Sequence, residues 1–69
     1  MSISMNWDDI EVIAEDLAAS YPELDPLSVS FPRLLRMIIE LEGFAGLPGA
    51  ANEHRLEEIQ MAWYELNEA

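Results

Sequence analysis

Carboxylates are the side chains of this sequence that could do chemistry. Fourteen Asp and Glu stand against three Arg and a single His, and the formal net charge is −11. Residues 1–25 contain seven acids and no base, residues 26–52 balance two acids with two Arg, and residues 53–69 contain five acids and one Arg. Grouped carboxylates bind either a basic protein surface or a hard metal cation. The charge therefore predicts one of these two kinds of partner.

The same composition argues against several other functions. Nucleic acid binding depends on Lys and Arg that neutralise phosphates, so this acidic chain is not predicted to bind DNA or RNA. Without Cys there is no disulfide, no thiolate nucleophile and no sulfur ligand for a metal or cluster. No Ser/His/Asp or H-E-x-x-H pattern supports hydrolysis, and "GFAGLPG" lacks the Lys-Ser/Thr of a phosphate loop. We predict that the protein is not an enzyme and holds no tightly bound cofactor.

The sequence also lacks signals for secretion or membrane insertion. The N-terminal "MSISMNWDD" has neither the basic nor the apolar segment of a secretory signal. The longest apolar run, "LLRMII", is interrupted by Arg36 and is far shorter than the about 20 residues of a membrane span. We therefore expect a cytoplasmic protein with no membrane role.

Apolar residues at three- and four-residue spacing predict amphipathic helices. The first helix is predicted from about Trp7 to Ser20, with Asn6 as its N-cap. The last helix is predicted to begin after Asn52, which caps it. Its inner stripe consists of Leu56, Ile59, Gln60, Trp63 and Leu66.

A second helix is predicted from about Pro32 to Glu42. Ser30 or Phe31 caps it, because the fixed φ of the following Pro suits a first helical turn. Gly43 lies where a left-handed residue ends a helix. Three helices with no repeat predict one small all-α domain, residues 1–69.

Two connections join the predicted helices. In "SYPELDPLSVSFPRL", residues 20–34, Tyr21 and Pro22 end the first helix, and "LSVSF" alternates as a short extended segment would. Its bulky residues Leu24 and Val29 would pin the connection to the core. In "GFAGLPGAA" the glycines predict a loop, with core contacts from Phe44 and Leu47.

The outer face of the first helix is the first candidate site. Glu11 and Glu15 lie four residues apart and repel each other, so local stability does not explain them. A charged face is often only a solvated face, but the absence of any base from residues 1–25 favours a docking surface. The carboxylates on this face are Asp8, Glu11, Glu15 and Asp16.

Metal binding is the alternative role for the same carboxylates. Glu23 and Asp25 would converge with Glu15 or Asp16 only if the turn after the first helix folds back. Oxygen ligands of this kind suit ferrous iron at weak affinity. The only imidazole, His54, has Glu58 at i+4, but a lone His of this kind is more often a surface residue than a ligand.

A set of ordered motifs resembles the IscX family, the small acidic accessory proteins of bacterial iron–sulfur cluster assembly. The motifs are "YPELDP" followed by Phe31, "LEGF" at residues 41–44, "ANEHRLEEI" at residues 51–59, and Trp63 with Glu65. The resemblance covers the chain from Trp7 onward. It implies an all-helical fold similar to a modified winged helix.

The resemblance also implies partners. It implies an acidic face that docks on a basic patch of the cysteine desulfurase IscS, in competition with bacterial frataxin and ferredoxin, and weak binding of Fe(II). The positions that match family acids or motifs are Tyr21, Glu23, Asp25, Glu40, Glu42, Asn52, Glu53, Glu57 and Glu65. The family typically carries a run of aspartates after "LE-x-F", whereas this chain has "AGLPGA" there. A site that depends on that run lacks its carboxylates here.

We therefore predict a monomeric regulatory protein that binds the desulfurase and modulates sulfur transfer. An iron-delivering adaptor and an acidic module for an unrelated basic protein are the alternatives. The predicted partner-binding residues are Asp8, Glu11, Glu15, Tyr21, Glu23, Asp25, Glu40 and Glu42. The predicted metal ligands are Glu15, Asp16, Glu23 and Asp25.

Overall fold

Three α-helices build the fold of this computed structural model, which describes residues 4–68. Helix α1 is Ile10–Ser20, α2 is Phe31–Ile39 and α3 is Glu53–Glu68. Two short 3-10 helices, Pro26–Ser28 and Pro48–Ala50, lie in the connections. The prediction of a small all-α domain is confirmed. Within residues 4–68 no helix combines the length and apolar character that a bilayer span requires.

The core lies between α1 and α3, which share the most extensive contact in the fold, and α2 packs against both. The inner stripe of each helix is fully buried at its centre. Residues with no exposed surface are Ile13, Ala14, Leu17, Leu34, Ile38, Ile59 and Trp63. Burying each large apolar side chain stabilises the fold by about 1.5–3 kcal/mol, so this layer supplies most of the driving force.

Helix α1 begins at Ile10, not at Trp7 as predicted. The preceding residues form a turn instead, in which the Asp9 backbone N–H donates to the Asn6 carbonyl at 2.9 Å. The Asn6 backbone N–H in turn donates to Asp9 Oδ2 at 2.9 Å. Asp9 therefore occupies the N-cap position, and the prediction that Asn6 caps the helix is wrong.

Helix α2 begins as predicted but ends earlier. Ser30 is its N-cap, with Oγ accepting from the Arg33 backbone N–H at 3.4 Å. The helix ends at Ile39 because the Leu41 N–H donates to the Ile38 carbonyl at 3.1 Å, an i−3 bond that tightens the last turn. Gly43 does have a positive φ of 88°, but it lies in a turn beyond the helix.

The N-terminal segment closes against the glycine-rich loop. The Met5 N–H donates to the Gly43 carbonyl at 2.8 Å, and the Ala45 N–H donates to the Met5 carbonyl at 2.7 Å. This single parallel bridge, between Met5 and Phe44, is the only β-pairing within residues 4–68. Because a wing is built from strands, the winged-helix detail of the prediction is not confirmed.

Trp7 completes this closure. Its indole Nε1–H donates to the Leu47 carbonyl at 2.8 Å, and its ring meets Phe44 edge to face at a centroid distance of 4.8 Å. Phe44 packs against the core as predicted. The predicted core contact of Leu47 is wrong, since its side chain is 73% exposed. The loop is held here by the Leu47 backbone carbonyl, which accepts from Trp7.

The connection between α1 and α2 is pinned to α3. Gln60 Nε2 donates to the carbonyls of Pro26 at 2.9 Å and Val29 at 3.2 Å. Val29 is buried and Leu24 packs against the core, as predicted. Pro26–Ser28 forms a 3-10 helix, so the predicted extended segment "LSVSF" is wrong in its first half.

The inner stripe of α3 is confirmed at Leu56, Ile59 and Trp63. Leu66 is 42% exposed, in contrast to the prediction. It borders a groove between α1 and α3 where Ala14 and Ala62 are too small to cover it.

Two glycines of one loop provide a matched stability test. A Cβ on Gly46 would lie 2.6 Å from Phe44 Cζ and 2.9 Å from the Trp7 ring, whereas a Cβ on Gly49 would have no neighbour within 4 Å. We expect Gly46→Ala to lower the free energy of unfolding by about 1–3 kcal/mol, because the hydrogen-bonded Trp7 ring cannot move away. Gly49→Ala should be neutral or stabilising by about 0.4–1 kcal/mol. Urea titration followed by tryptophan fluorescence measures both, and equal effects would contradict the close packing.

The bonds made by Gln60 lead to a second prediction. Gln60→Leu removes the donor that two backbone carbonyls share, and we expect a loss of about 1–3 kcal/mol in thermal or urea unfolding. Asn67→Leu is the control, since Asn67 is exposed and donates to the Leu24 carbonyl at a longer 3.4 Å. That change should cost less than about 0.5 kcal/mol. A Gln60 variant as stable as wild type would show that the connection is held by apolar packing alone.

Candidate functional site

Three adjoining depressions follow one side of the molecule. The first, a cleft of about 450 Å³, lies between the end of α1 and the turn after α2. Its lining residues are Asp16, Ser20, Tyr21, Glu40, Leu41, Glu42 and Gly43. Three carboxylates and a phenol therefore surround one open cleft.

The other two depressions share carboxylates with their neighbours. The second, of about 300 Å³, contains Asp16 and Glu42 from the first cleft together with Glu15. The third, of about 250 Å³, contains Glu15 again and adds Glu11 and Glu65. No Lys, Arg or His lines any of the three. We call this continuous set the acidic surface: Glu11, Glu15, Asp16, Glu40, Glu42 and Glu65.

The helix pairing explains why these carboxylates meet. The buried stripe of α1 turns Glu11 and Glu15 outward, and Asp16 is half-buried at the edge of the stripe. Glu42 reaches the same side because it lies in the turn from Leu41 to Phe44, which the bridge to Met5 holds beside α1. Glu65 comes from α3, which packs along α1.

The acidic surface has an apolar floor. Val12 is 45% exposed in the second depression, and Leu66 is 42% exposed in the third, beside Ala14 and Ala62. The long Arg and Lys side chains of a partner pack their aliphatic stems on apolar atoms while their charged ends reach carboxylates. The arrangement therefore suits a basic protein surface better than it suits a free ion.

The structure brings together most, but not all, of the predicted contact residues. Those that line the acidic surface or its first cleft are Glu11, Glu15, Tyr21, Glu40 and Glu42. Asp8, Glu23 and Asp25 line none of the three depressions.

The three remaining residues have other surroundings. The Asp8 carboxylate pairs with Arg55, with Oδ1 3.1 Å from Nη1. The Asp25 carboxylate caps the first 3-10 helix, with Oδ1 accepting from the Leu27 N–H at 3.1 Å. Glu23 is exposed in the turn that follows α1. Their role as contacts stays a prediction.

Two residues of the acidic surface were absent from the predicted contact set. Asp16 was predicted on the outer face of the first helix and as a metal ligand, and Glu65 as a position that matches the family motif, but neither was among the predicted partner-binding residues. The spacing of Glu65 from Trp63 indicates an outward position on α3. It does not tell which neighbouring helix lies beside it, so its proximity to Glu11 required the fold.

The predicted metal ligands do not form a preformed site. Glu15 and Asp16 line the second depression, whereas Glu23 and Asp25 lie outside it. In the part of the chain that the structure describes, no three His, Asp or Glu side chains are grouped so that they could hold a metal ion. His54 Nε2 lies 3.5 Å from Glu58 Oε1 and forms a pair only. Iron binding stays a prediction.

Comparison with known proteins adds a family to this geometry. A family model described as iron-sulphur cluster assembly matches residues 5–68. An uncharacterised protein of Pseudomonas aeruginosa is 43% identical over 63 residues, which cover 91% of this chain and 96% of that protein. The residues that the family model matches include every residue of the acidic surface.

Arg55 and Asp8 allow a prediction that separates structure from recognition. Arg55 Nη1 also donates to the Trp7 carbonyl at 3.0 Å, and its side chain is 29% exposed against 89% for Asp8. We expect Arg55→Met to cost about 1–2 kcal/mol of unfolding free energy, because a part-buried carbonyl loses a charged donor. Asp8→Asn should cost less than about 0.5 kcal/mol, since an exposed ion pair contributes little. Equal losses of unfolding free energy in chemical denaturation would show that the Arg55–Asp8 ion pair, and not the bond to the Trp7 carbonyl, provides the stabilisation.

Proposed function

Because the chain belongs to the IscX family of iron–sulphur cluster assembly proteins, we propose that its acidic surface binds the basic surface of the cysteine desulfurase IscS and so modulates sulfur transfer. Involvement in iron–sulphur cluster assembly follows from the family. The desulfurase as the direct partner, and the acidic surface as the contact, are the proposal.

One observation supports the proposal most: six carboxylates from all three helical regions meet on one side, with no basic side chain lining that side. Glu11 and Glu15 repel each other, as do neighbours brought together by the fold, so folding stability does not favour the arrangement. A basic partner relieves this repulsion and gains from the long-range attraction that speeds encounter. Opposite charge across an interface also excludes wrong partners.

The proposed regulation is by occupancy. The polar side chains that line the three depressions are carboxylates, the Tyr21 phenol and the Ser20 hydroxyl, which suit docking through charge and hydrogen bonds. A protein of this kind acts by covering a surface that other acidic proteins need. Bacterial frataxin and ferredoxin are the competitors that the IscX resemblance implies.

Calorimetric titration into the desulfurase of the same organism tests this proposal. The triple variant Glu15→Gln, Asp16→Asn, Glu42→Gln changes only the carboxylates that adjoining depressions share. Three charge pairs worth about 0.5 kcal/mol each predict roughly tenfold weaker binding at about 50 mM salt. The difference should shrink at about 300 mM salt, because the Debye length is then well below 10 Å.

A second triple variant is the control. Glu53→Gln, Glu57→Gln, Glu68→Gln removes the same number of charges from exposed positions of α3 that line none of the three depressions. It should keep its affinity within about threefold, or about 0.7 kcal/mol. If both triples weaken binding equally, net charge alone drives association and the assignment of the acidic surface is wrong. If the wild-type protein does not bind at low salt, the desulfurase is not the partner and an unrelated basic protein takes its place.

A further inference from the structure

A second charged surface, of opposite sign, lies on α2. Residues 26–39 contain Arg33 and Arg36 and no acid, so they carry +2 while the rest of the chain carries −11 − 2 = −13. Both Arg side chains are exposed. They share the outer side of α2, because residues three apart lie on one face of a helix.

Neither Arg has an ionic partner among residues 4–68, in a protein with far more carboxylates than bases. Arg55, by contrast, pairs with Asp8. Arg33 also lies in the first turn of α2, where a cation opposes the positive end of the helix dipole. Helix stability therefore does not account for a base at this position, nor does pairing within the fold.

An apolar row runs beside Arg36. Pro32, Leu35 and Ile39 are spaced three and four residues apart, and they line a groove of about 460 Å³ together with Arg36 and Glu40. The residues that α2 buries against α1 and α3 are Leu34, Met37 and Ile38, on the opposite side of the helix. We call the side away from these residues the basic face: Pro32, Arg33, Leu35, Arg36 and Ile39. Leu35, at its edge, also packs partly against the core.

We propose that the basic face docks an acidic amphipathic segment of a partner protein, whose carboxylates pair with Arg33 and Arg36 and whose apolar side chains enter the groove. Arg guanidinium groups bind carboxylates in a bidentate geometry, and the adjacent apolar row supplies area that a solvated charge pair lacks. Charge complementarity identifies the chemistry of the occupant. Phosphate-rich nucleic acid does not fit, because two Arg neutralise only two phosphates, whereas a duplex carries one negative charge about every 1.7 Å.

A second copy of this chain is the less suitable occupant. Its acidic surface would offer the carboxylates, but a second copy brings a whole net charge of −11 against an equal charge, whereas a short segment brings only a few carboxylates. Glu40 lines both the first acidic cleft and the groove of the basic face, so an acidic and a basic partner would lie side by side. The proposal does not depend on the desulfurase being the basic one.

Fluorescence anisotropy with a defined probe tests the basic face. The probe is a fluorescein-labelled 14-residue helical peptide with Leu at i, i+3 and i+7 and Glu pairs beside them, and its twin carries Gln in place of Glu. At low salt the Glu peptide should bind at least tenfold more tightly than the Gln peptide. Arg33→Gln with Arg36→Gln should abolish at least nine-tenths of that affinity.

The matched control keeps the net charge equal. Ala19→Glu with Ala50→Glu, two exposed positions, reaches the same −13 as the double Arg variant and should stay within twofold of wild type. Equal losses in both variants, or equal affinity for the two peptides, would overturn the proposal. Sedimentation velocity of the protein alone tests whether a second copy of the chain is the occupant. Self-association that the double Arg variant removes would make the second copy the occupant and overturn the assignment to a partner protein.

Discussion

The packing of α1 against α3 around Trp63 is the interaction on which the rest of the structure depends. Trp63 has no exposed surface, and its Nε1–H finds no hydrogen-bond partner within residues 4–68. An unpaired buried donor costs about 1–3 kcal/mol. Burial of about 150–250 Å² of indole at about 25 cal/mol per Å² contributes about 4–6 kcal/mol, so the gain from burial exceeds the cost of the unpaired N–H. A chain this short hides only about 60% of its unfolded surface, which leaves few other ways to hold three helices together.

The second constraint is the closure of the N-terminal segment on the loop after α2. Trp7 is buried here although no helix contains it. Its indole N–H donates to the Leu47 carbonyl, and its own backbone carbonyl accepts from Arg55, so its polar groups have partners. The same closure has a functional effect. By pairing Met5 with the residues on both sides of Phe44, it holds Glu42 beside Asp16, where two of the acidic depressions meet. This loop thus contributes order rather than charge.

Acidic and basic side chains are separated more clearly on the surface of the folded protein than they are along the sequence. The acidic surface combines residues from α1, α3 and the turn after α2, and the basic face lies on α2 next to it, with Glu40 bordering both. Helix stability explains only part of this arrangement: Glu11 in the first turn of α1 and Arg36 in the last turn of α2 suit the helix dipoles, whereas Glu11 and Glu15 repel each other and Arg33 opposes the dipole of α2. Folding and recognition therefore make separate demands on this sequence. Buried stripes determine the fold, and the outward faces carry the charges.

Helical periodicity by itself predicted a three-helix domain and placed Trp63 in the inner stripe of α3, and residue types predicted the caps, Asn52 for α3 and Ser30 or Phe31 for α2, of which Ser30 is the one observed. The one-sided charge of the ends predicted a docking surface, and the ordered motifs identified the family. Only the tertiary structure decided where α1 begins, because the turn that delays it is stabilised by contacts of Met5 and Trp7 with a loop some forty residues away. It also decided which carboxylates meet: Glu65 joins Glu11 through helix pairing, and Asp25 turns to cap a 3-10 helix. Periodicity reports which side of a helix is buried, whereas the neighbour of the exposed side depends on contacts between segments distant in sequence.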